Sequence, residues 1–355
     1  MRKTGYLVLE NGITLTGKLF GAEKEAMAEI AFTTDMVGYL GILTDPNYYG
    51  QIVVQTFPMI GNYGVISDAF EAKKPAVAAY VTREICDEPS NFRSEGTLED
   101  FLKEMGVPGI FDVDTRYLTK LIRDNGTMNA AIVHDKKEIE KTVKALKALK
   151  TTADLKQATC EKAYTLGTGK RHVAVMDFGV QRSMLDKLVD LGLKVTVVPF
   201  DTKAEDILAL KPDGILLSNG PGNPMDYPDV IEEIKKLKAA KIPLLGICLG
   251  HLLLAASQGG TVKKLKYGHH SGSQPVKELK TGNSYITKQN HAYAVDSLPK
   301  NAEKTFEHIN DGTVAGIAYT DGPAFSVQFI PAKNGGPLDT LFVYDRFIAL
   351  MGGKK

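Results

Sequence analysis

Residues 243–251 read PLLGICLGH, and this stretch decides the fold of the second half of the chain. An apolar run suited to a short buried strand leads into Cys248, which has Gly246 and Gly250 two positions to either side. Small residues there permit the strained strand-to-helix turn that exposes a nucleophile at the carboxyl end of a sheet. The stretch therefore predicts a nucleophile elbow, in preference to a buried cysteine in a glycine-rich turn. We also expect Cys248 to be the most reactive thiol, because a helix N-terminus favours a thiolate and offers N–H groups to an oxyanion.

Strands and helices alternate on the N-terminal side of this elbow. Short apolar runs stand at 173–176, 195–198, 215–217 and 243–247, and stretches with helical spacing lie between them at 180–191, 205–210 and 231–237. This alternation indicates a parallel sheet with helices on both faces. The turn SNGPGNP at 218–224 follows one of the strands, at an edge where open α/β sheets bind ligands. Its backbone amides are able to complete an oxyanion hole, although a plain turn also explains this cluster when it is taken alone.

The first part of the chain mixes strands and helices with many glycine and proline turns. Asn11-Gly12 predicts a hairpin. Helical spacing appears at 98–104, 115–124 and 136–150. The last of these helices is rich in lysine, which we interpret as a solvated face. A chain of 355 residues is longer than one hydrophobic core usually supports, so we expect two domains. Residues 151–170 show neither helical nor strand periodicity. We therefore predict a domain at 1–150, a linker at 151–170 and a second domain at 171–355.

The composition excludes several classes of function. Forty-three Lys and Arg residues balance 42 Asp and Glu residues, so the chain has no electrostatic footprint for nucleic acid or for an acidic membrane. No apolar stretch reaches the roughly 18 residues of a membrane span, and the first residues lack the apolar core of a secretion signal. The three cysteines, at 86, 160 and 248, are odd in number and far apart. We therefore expect a cytoplasmic protein with neither a disulfide framework nor a metal site.

Three stretches of the second half together resemble a class I glutamine amidotransferase domain: residues 177–180, 219–222 and 246–251. The first half is similar to the small subunit of carbamoyl-phosphate synthetase. The stretches that carry this second likeness are Gly38-Tyr39, 42–46, 61–64, 89–91, 108–110 and 114–116, continued by 268–270, 289–291 and 325–326. The resemblance covers nearly the whole chain in one register.

This resemblance implies an α/β fold, with an N-terminal mixed α/β small-subunit domain and a C-terminal doubly wound parallel-sheet amidotransferase domain. In the family, a cysteine thiolate attacks the amide of glutamine, a histidine moves the protons and a glutamate orients the histidine. The ammonia released travels to a large subunit, which makes carbamoyl phosphate from ammonia and bicarbonate. The implied partner is therefore a large subunit. ATP and magnesium are expected there, and no cofactor is expected in this chain.

The closing motif departs from the family pattern, which reads Gln-Gly-His-Pro-Glu-Ala. Residues 328–333 read QFIPAK, so Ile330 stands in the place of the histidine and Ala332 in that of the glutamate. Neither side chain can carry a proton, although Cys248 keeps the position of the nucleophile. Phe329 replaces a glycine and is expected to put a large ring beside the pocket.

The substrate pocket implied by the resemblance is altered as well. Leu252 stands where the family has a glutamine that contacts the substrate, and Asn47 replaces a serine. Ala292 and Tyr293 replace a Gly-Phe pair. The positions that match the family's glutamine contacts are Gly220, Gly222, Leu249 and Asn290. Among the seven histidines, those at 251, 269, 270 and 291 occupy family positions, so none of these four is a replacement for the missing base.

Three interpretations follow. The first is a glutaminase-impaired small subunit that supports carbamoyl phosphate synthesis from ammonia. The second is a subunit that still hydrolyses glutamine with an atypical base, and the third is a non-catalytic binding or regulatory pseudo-amidotransferase. Both an arginine and a pyrimidine pathway are compatible with the sequence.

Overall fold

The computed structural model describes residues 2–150, 153–331 and 336–352. These residues form two compact units, 1–152 and 153–355. The division falls close to the predicted end of the first domain. Each unit has its own sheet and its own apolar core.

The first unit is built around a closed barrel. Its strands are β1 (Thr4–Leu9), β2 (Thr14–Gly21), β3 (Ala26–Thr33), β4 (Ile52–Gln55), β5 (Met59–Ile60), β6 (Ala79–Val81), β7 (Glu84–Ile85), β8 (Pro108–Phe111) and β9 (Met128–Val133). Its helices are α1 (Tyr39–Thr44), α2 (Leu98–Glu104), α3 (Thr115–Asn125) and α4 (Ile139–Ala148). The order around the barrel is β1-β2-β8-β6-β4-β3-β9, and β5 pairs with β7 in a separate ladder.

Local sequence signals explain several of these elements. The Asn11-Gly12 turn joins β1 to β2 as predicted, with Gly12 at a φ of 89°. Thr97 and Asp114 cap the first turns of α2 and α3 with their side-chain oxygens. In α4 the side chain of Leu146 is buried against the barrel, whereas the lysines of residues 136–150 are exposed. The interpretation of this helix as a solvated face is confirmed.

The second unit contains one twisted sheet with helices on both sides. Its helices are α5 (Leu155–Ala158), α6 (Arg182–Asp190), α7 (Ala204–Ala209), α8 (Pro228–Ala239), α9 (Leu249–Ser257) and α10 (Phe342–Leu350). Its strands are β10 (Tyr164–Leu166), β11 (Arg171–Asp177), β12 (Leu193–Pro199), β13 (Gly214–Leu217), β14 (Leu244–Ile247), β15 (Thr261–Glu278), β16 (Ser284–Ser297), β17 (Ala302–His308), β18 (Val314–Tyr319) and β19 (Ala324–Val327). No helix within the described ranges is long and apolar enough to span a bilayer.

Strands β12-β11-β13-β14-β19 are parallel neighbours, and apolar clusters cover both faces of this part of the sheet. The predicted doubly wound parallel sheet is therefore confirmed. The sheet continues through the antiparallel strands β18, β17, β15 and β16, which the alternation of strands and helices did not predict. This extension carries Asn290, one of the predicted site residues.

The segment predicted as a linker belongs to the second unit from Ala153 onward. Leu155 is fully buried in the core of this unit, and β10 pairs antiparallel with β12 at the edge of the sheet. The carboxylate of Asp177 accepts the N–H of Cys160 at 2.8 Å. The linker prediction over 151–170 is therefore corrected, because a four-residue helix and a three-residue strand are too short to leave a period in the sequence.

Candidate functional site

The turn at Cys248 has the geometry of a nucleophile elbow. Strand β14 ends at Ile247, α9 begins at Leu249, and Cys248 between them has a φ of 55° and a ψ of −105°. Its N–H donates to the carbonyl oxygen of Val327 at 2.9 Å. A positive φ in a non-glycine residue costs on the order of 1–3 kcal/mol and persists only where the surrounding structure holds it. The elbow predicted from the sequence is confirmed as a conformation.

Both flanking glycines are required by close backbone contacts. A Cβ atom on Gly246 would lie 2.7 Å from the carbonyl oxygen of Gly250. A Cβ atom on Gly250 would lie 2.2 Å from the carbonyl oxygen of Leu217, at the end of β13. The N–H of Gly250 donates to Ser218 O at 2.9 Å, so this amide at the start of α9 is already used and does not offer itself to an oxyanion. The first turn of the helix is thus tied to the neighbouring strand end.

The thiol of Cys248 is enclosed. The residue is 1% exposed, and its sulfur lies 3.6 Å from the carbonyl oxygen of Asn290. Leu249 and Leu252 on α9 are also buried, in the apolar cluster on one face of the sheet. Leu252, which the resemblance predicts to stand in place of a substrate-contacting glutamine, is therefore part of the apolar packing.

Two residues predicted to replace the end of the catalytic motif are packed into the core. Phe329 is fully buried and makes an edge-to-face contact with Phe306, with ring centroids 5.4 Å apart. Ile330 is 1% exposed, and its N–H donates to Lys288 O at 2.8 Å. Phe329, Ile330 and Cys248 belong to one apolar cluster. Ala332, predicted to stand in place of the glutamate, lies outside the described residues.

The glycine-rich turn lies beside the elbow, as predicted from its place at a strand end. A Cβ atom on Gly220 would lie 2.2 Å from Phe178 O, and Gly222 has a φ of 93°. Ser218 Oγ accepts the N–H of Phe178 at 2.9 Å, and Asn219 Nδ2 donates to Gly179 O at 2.8 Å. The turn is therefore fixed to the loop after β11. Burial raises the pKa of Asp177 at the base of that loop.

The antiparallel strands β15 and β16 bring Asn290 beside the thiol, with His270 Nδ1 at 2.7 Å from Asn290 Oδ1. Burial lowers the pKa of His251 to about 3, and burial with neighbouring histidines lowers that of His291 well below its usual range. His291 Nδ1 donates to Tyr293 O at 2.7 Å. Both rings therefore belong to neutral, structural networks at physiological pH.

Three further predicted positions are Ala292 and Tyr293 in the second unit and Asn47 in the first. Ala292 is half-buried on β16, next to Tyr293, whose ring packs against the apolar cluster of α9. Asn47 belongs to the first unit, where its N–H donates to the Asp45 carboxylate at 3.0 Å in a short turn after α1.

Sequence reasoning missed a group of ionisable side chains on β15 and β17. His269, His308 and Asp311 converge there, although 39 residues separate the two histidines and their numbering gives no recognisable ligand spacing. The His-x-x-Asp spacing of 308–311 is the one signal that the sequence offers for this cluster.

The fold and the elbow define the class of the second unit. The family model described as "Glutamine amidotransferase class-I" matches residues 174–350, and the model described as "Carbamoyl-phosphate synthase small chain, CPSase domain" matches residues 7–132. Because close relatives match over nearly the whole length, the chain belongs to the carbamoyl phosphate synthase small chain family. The resemblance stated from the sequence is confirmed.

Three relatives illustrate this match. The carbamoyl phosphate synthase small chain of Clostridium perfringens is 44% identical over 96% of this chain and 98% of its own length. That of Listeria monocytogenes serotype 4b is 44% identical over 98% of this chain and 97% of its own. A protein of Halalkalibacterium halodurans, named as a pyrimidine-specific small chain, is 44% identical over 98% of this chain and 97% of its own length.

Proposed function

We propose that this chain supports carbamoyl phosphate synthesis from ammonia as the small subunit of a synthetase, and that its own glutaminase activity is very low. The observation that carries the proposal is the packing of Ile330. The resemblance places the catalytic histidine at this position, and here an aliphatic side chain shares a closed apolar cluster with Cys248.

The chemical argument rests on proton transfer. Attack of a thiolate on an amide requires a base to take the thiol proton and an acid to protonate the departing amine. Ile330 can do neither, and losing acid–base assistance typically costs about 10² to 10⁴ in rate. Because triad members act as a unit, the residual rate should be close to that given by binding and the oxyanion hole alone.

The pocket adds a second obstacle. Leu252 offers no hydrogen bond to a substrate amide, and leaving a buried polar group without a partner costs about 1–3 kcal/mol. Phe329 is fully buried against Phe306 at a position where the family has no side chain. Glutamine would have to displace apolar packing to reach the sulfur of Cys248.

The partner in this proposal is a large subunit, which would bind ATP and magnesium and use free ammonia as the nitrogen source. Support comes from the first unit, whose motifs at 38–46, 61–64 and 108–116 match the family, and from the full-length match to proteins named as small chains. This chain requires no cofactor of its own for that role.

The test is co-expression with a large subunit, followed by assay of the purified complex with glutamine and with ammonium. We expect carbamoyl phosphate with ammonium, and a glutamine-dependent rate lower by at least about 10²-fold. Cys86→Ala, in the first unit, serves as the cysteine control for Cys248→Ala. A glutamine-dependent rate equal to the ammonium-dependent rate, and abolished by Cys248→Ala alone, would contradict the proposal. Failure to form a complex would favour a separate binding or regulatory role.

A further inference from the structure

Two histidines and an aspartate converge on the antiparallel part of the sheet in the second unit. His269 lies on β15, His308 ends β17, and Asp311 lies in the turn between β17 and β18. His269 Nε2 is 2.9 Å from Asp311 Oδ2, and His308 Nδ1 is 3.1 Å from Asp311 Oδ1. The imidazole rings are stacked with centroids 4.2 Å apart. One potential ligand atom from each residue lies within 4.8 Å of the other two.

The outer nitrogen of each ring faces an amide oxygen. His308 Nε2 is 2.9 Å from Gln274 Oε1, and His269 Nδ1 is 3.1 Å from Gln289 Oε1. Thr287 fixes the second amide, because its hydroxyl donates to the backbone oxygen of Gln274 at 2.7 Å and so accepts from Gln289 Nε2 at 3.0 Å. A metal-bound histidine usually donates its outer N–H to an oxygen acceptor, and the two amide oxygens offer such acceptors here.

The orientation of the Gln289 amide brings its oxygen into an unfavourable contact with His291. Its Nδ1 donates to Tyr293 O, so a neutral ring presents a lone pair to Gln289 Oε1 at 2.9 Å. Rotating the amide of Gln289 would relieve His291, but it would place an N–H group against His269 Nδ1. A metal-bound His269 needs to donate from Nδ1, whereas a ring that donates to Asp311 does not. This orientation of Gln289 fits a metal ion at His269 Nε2, and it also fits a ring protonated on both nitrogens, which a metal titration distinguishes.

The inner side of the cluster is rich in lone pairs. With both outer nitrogens protonated, neutral rings of His269 and His308 direct lone pairs at a carboxylate, which only accepts. A cation placed between the two imidazole rings and the Asp311 carboxylate would stabilise this arrangement of lone pairs. Both histidines are buried, and the Asp311 side chain is 38% exposed. An ion can therefore enter from the Asp311 side and keep water ligands there.

We propose that His269 Nε2, His308 Nδ1 and the Asp311 carboxylate bind one divalent transition-metal ion, with zinc as the best-matched ion. Two imidazoles and a carboxylate form a ligand set that zinc accepts, and tetrahedral bonds of about 2.0–2.2 Å hold ligand atoms on the order of 3.3 Å apart. The separations of 2.9 and 3.1 Å to Asp311 need only small shifts, and the two stacked rings must also tilt so that both nitrogens, which lie within 4.8 Å of each other, point at one ion. This site differs from the sequence-based expectation of no metal site, which rested on the number and spacing of the cysteines alone.

Bound metal would tie β15 to the turn that follows β17. It would also hold Gln289, whose neighbour Asn290 places its carbonyl oxygen 3.6 Å from the sulfur of Cys248. The ion is thus a structural support for the strand beside the thiol, and it is independent of whether glutamine is hydrolysed.

The experiment uses the full chain, stripped with a chelator and titrated with Co²⁺ and then Zn²⁺. We expect visible Co²⁺ absorption typical of low coordination, one equivalent of zinc by mass spectrometry, and a thermal midpoint that rises with zinc. Asp311→Asn and His308→Asn should weaken binding by at least about 10- to 100-fold. His134→Asn, which alters an exposed histidine of the first unit, is the matched control and should bind normally.

Two results overturn the proposal. Binding of no metal would mean that protons, and not an ion, join the rings to Asp311. Equal binding by the wild-type chain and by Asp311→Asn would mean that the metal sits elsewhere, for example on thiols. Because His308 is 2% exposed, its variant could fail to fold. Asp311 lies in an exposed turn, so Asp311→Asn, checked by circular dichroism, keeps the test decisive.

Discussion

The substitution Ile330→His returns an imidazole to the position where the family has its catalytic histidine. Ile330 is 1% exposed and packs with Phe329 in the cluster that contains Cys248. Truncating a buried isoleucine costs about 2–5 kcal/mol, and an imidazole would refill part of that volume. It would also bury a polar nitrogen without a partner, at about 1–3 kcal/mol. We expect a net loss of about 2–4 kcal/mol in the free energy of unfolding.

The same substitution should not restore glutamine hydrolysis. Burial already lowers the pKa of His251 to about 3, and an imidazole enclosed by Phe329 would likewise lose the imidazolium form that protonates the departing amine. Urea unfolding measures the stability, and glutamate release measures the activity. Ile330→Val, expected to cost about 0.5–1.5 kcal/mol, is the volume control. A variant with wild-type stability and measurable glutamate release would refute the reasoning.

Three further outcomes are expected. Some glutamine use should return when four positions change together, since triad residues act as a unit: Leu252→Gln, Phe329→Gly, Ile330→His and Ala332→Glu. Glutamate release from any single change of these four would contradict that. The enclosure of Cys248, which is 1% exposed, reverses the sequence-based expectation that its thiol is the most reactive, so Cys86 should be alkylated first with limiting iodoacetamide. Cys160 should also react slowly, because burial raises its pKa to about 12. First labelling of Cys248 would show that the elbow opens. Gly250→Ala should lower the thermal midpoint through a loss of at least about 2–3 kcal/mol, whereas Gly96→Ala, with nothing within 4 Å of its added Cβ, should change it little.

The sequence predicts best where one short segment determines its own conformation. Asn11-Gly12 forces the β1–β2 hairpin, and the caps of α2 and α3 mark helices that the structure confirms. The elbow belongs to this group, because Gly246, Cys248 and Gly250 lie within five residues. The solvent exposure of the Cys248 thiol, in contrast, is not determined by this short segment. Whether a thiol at a confirmed elbow is open or enclosed depends on Phe329 and Asn290, which reach it only through the folded sheet.

The features that the sequence did not predict depend on long-range pairing. The barrel of the first unit closes through β3–β4, β4–β6 and β6–β8, parallel pairs between segments about 20–30 residues apart in the chain. The antiparallel extension of the second sheet pairs β15 directly with β17, although β16 lies between them in the chain. His269 and His308 meet in this part of the sheet, so no local spacing apart from the His-x-x-Asp of 308–311 predicts their cluster.

The glycines at the elbow do not by themselves indicate an active enzyme. A side chain at Gly250 would collide with the backbone of β13, and one at Gly246 would collide with α9, so packing of the helix on the sheet requires both residues whatever Cys248 does. The backbone at 330 makes no similar demand among the described residues, because its contact there is an N–H to Lys288 O that almost any residue can make. The side chains at 329 and 330 are therefore the informative ones, and an apolar pair there supports our proposal that a partner subunit receives ammonia from solution rather than from glutamine.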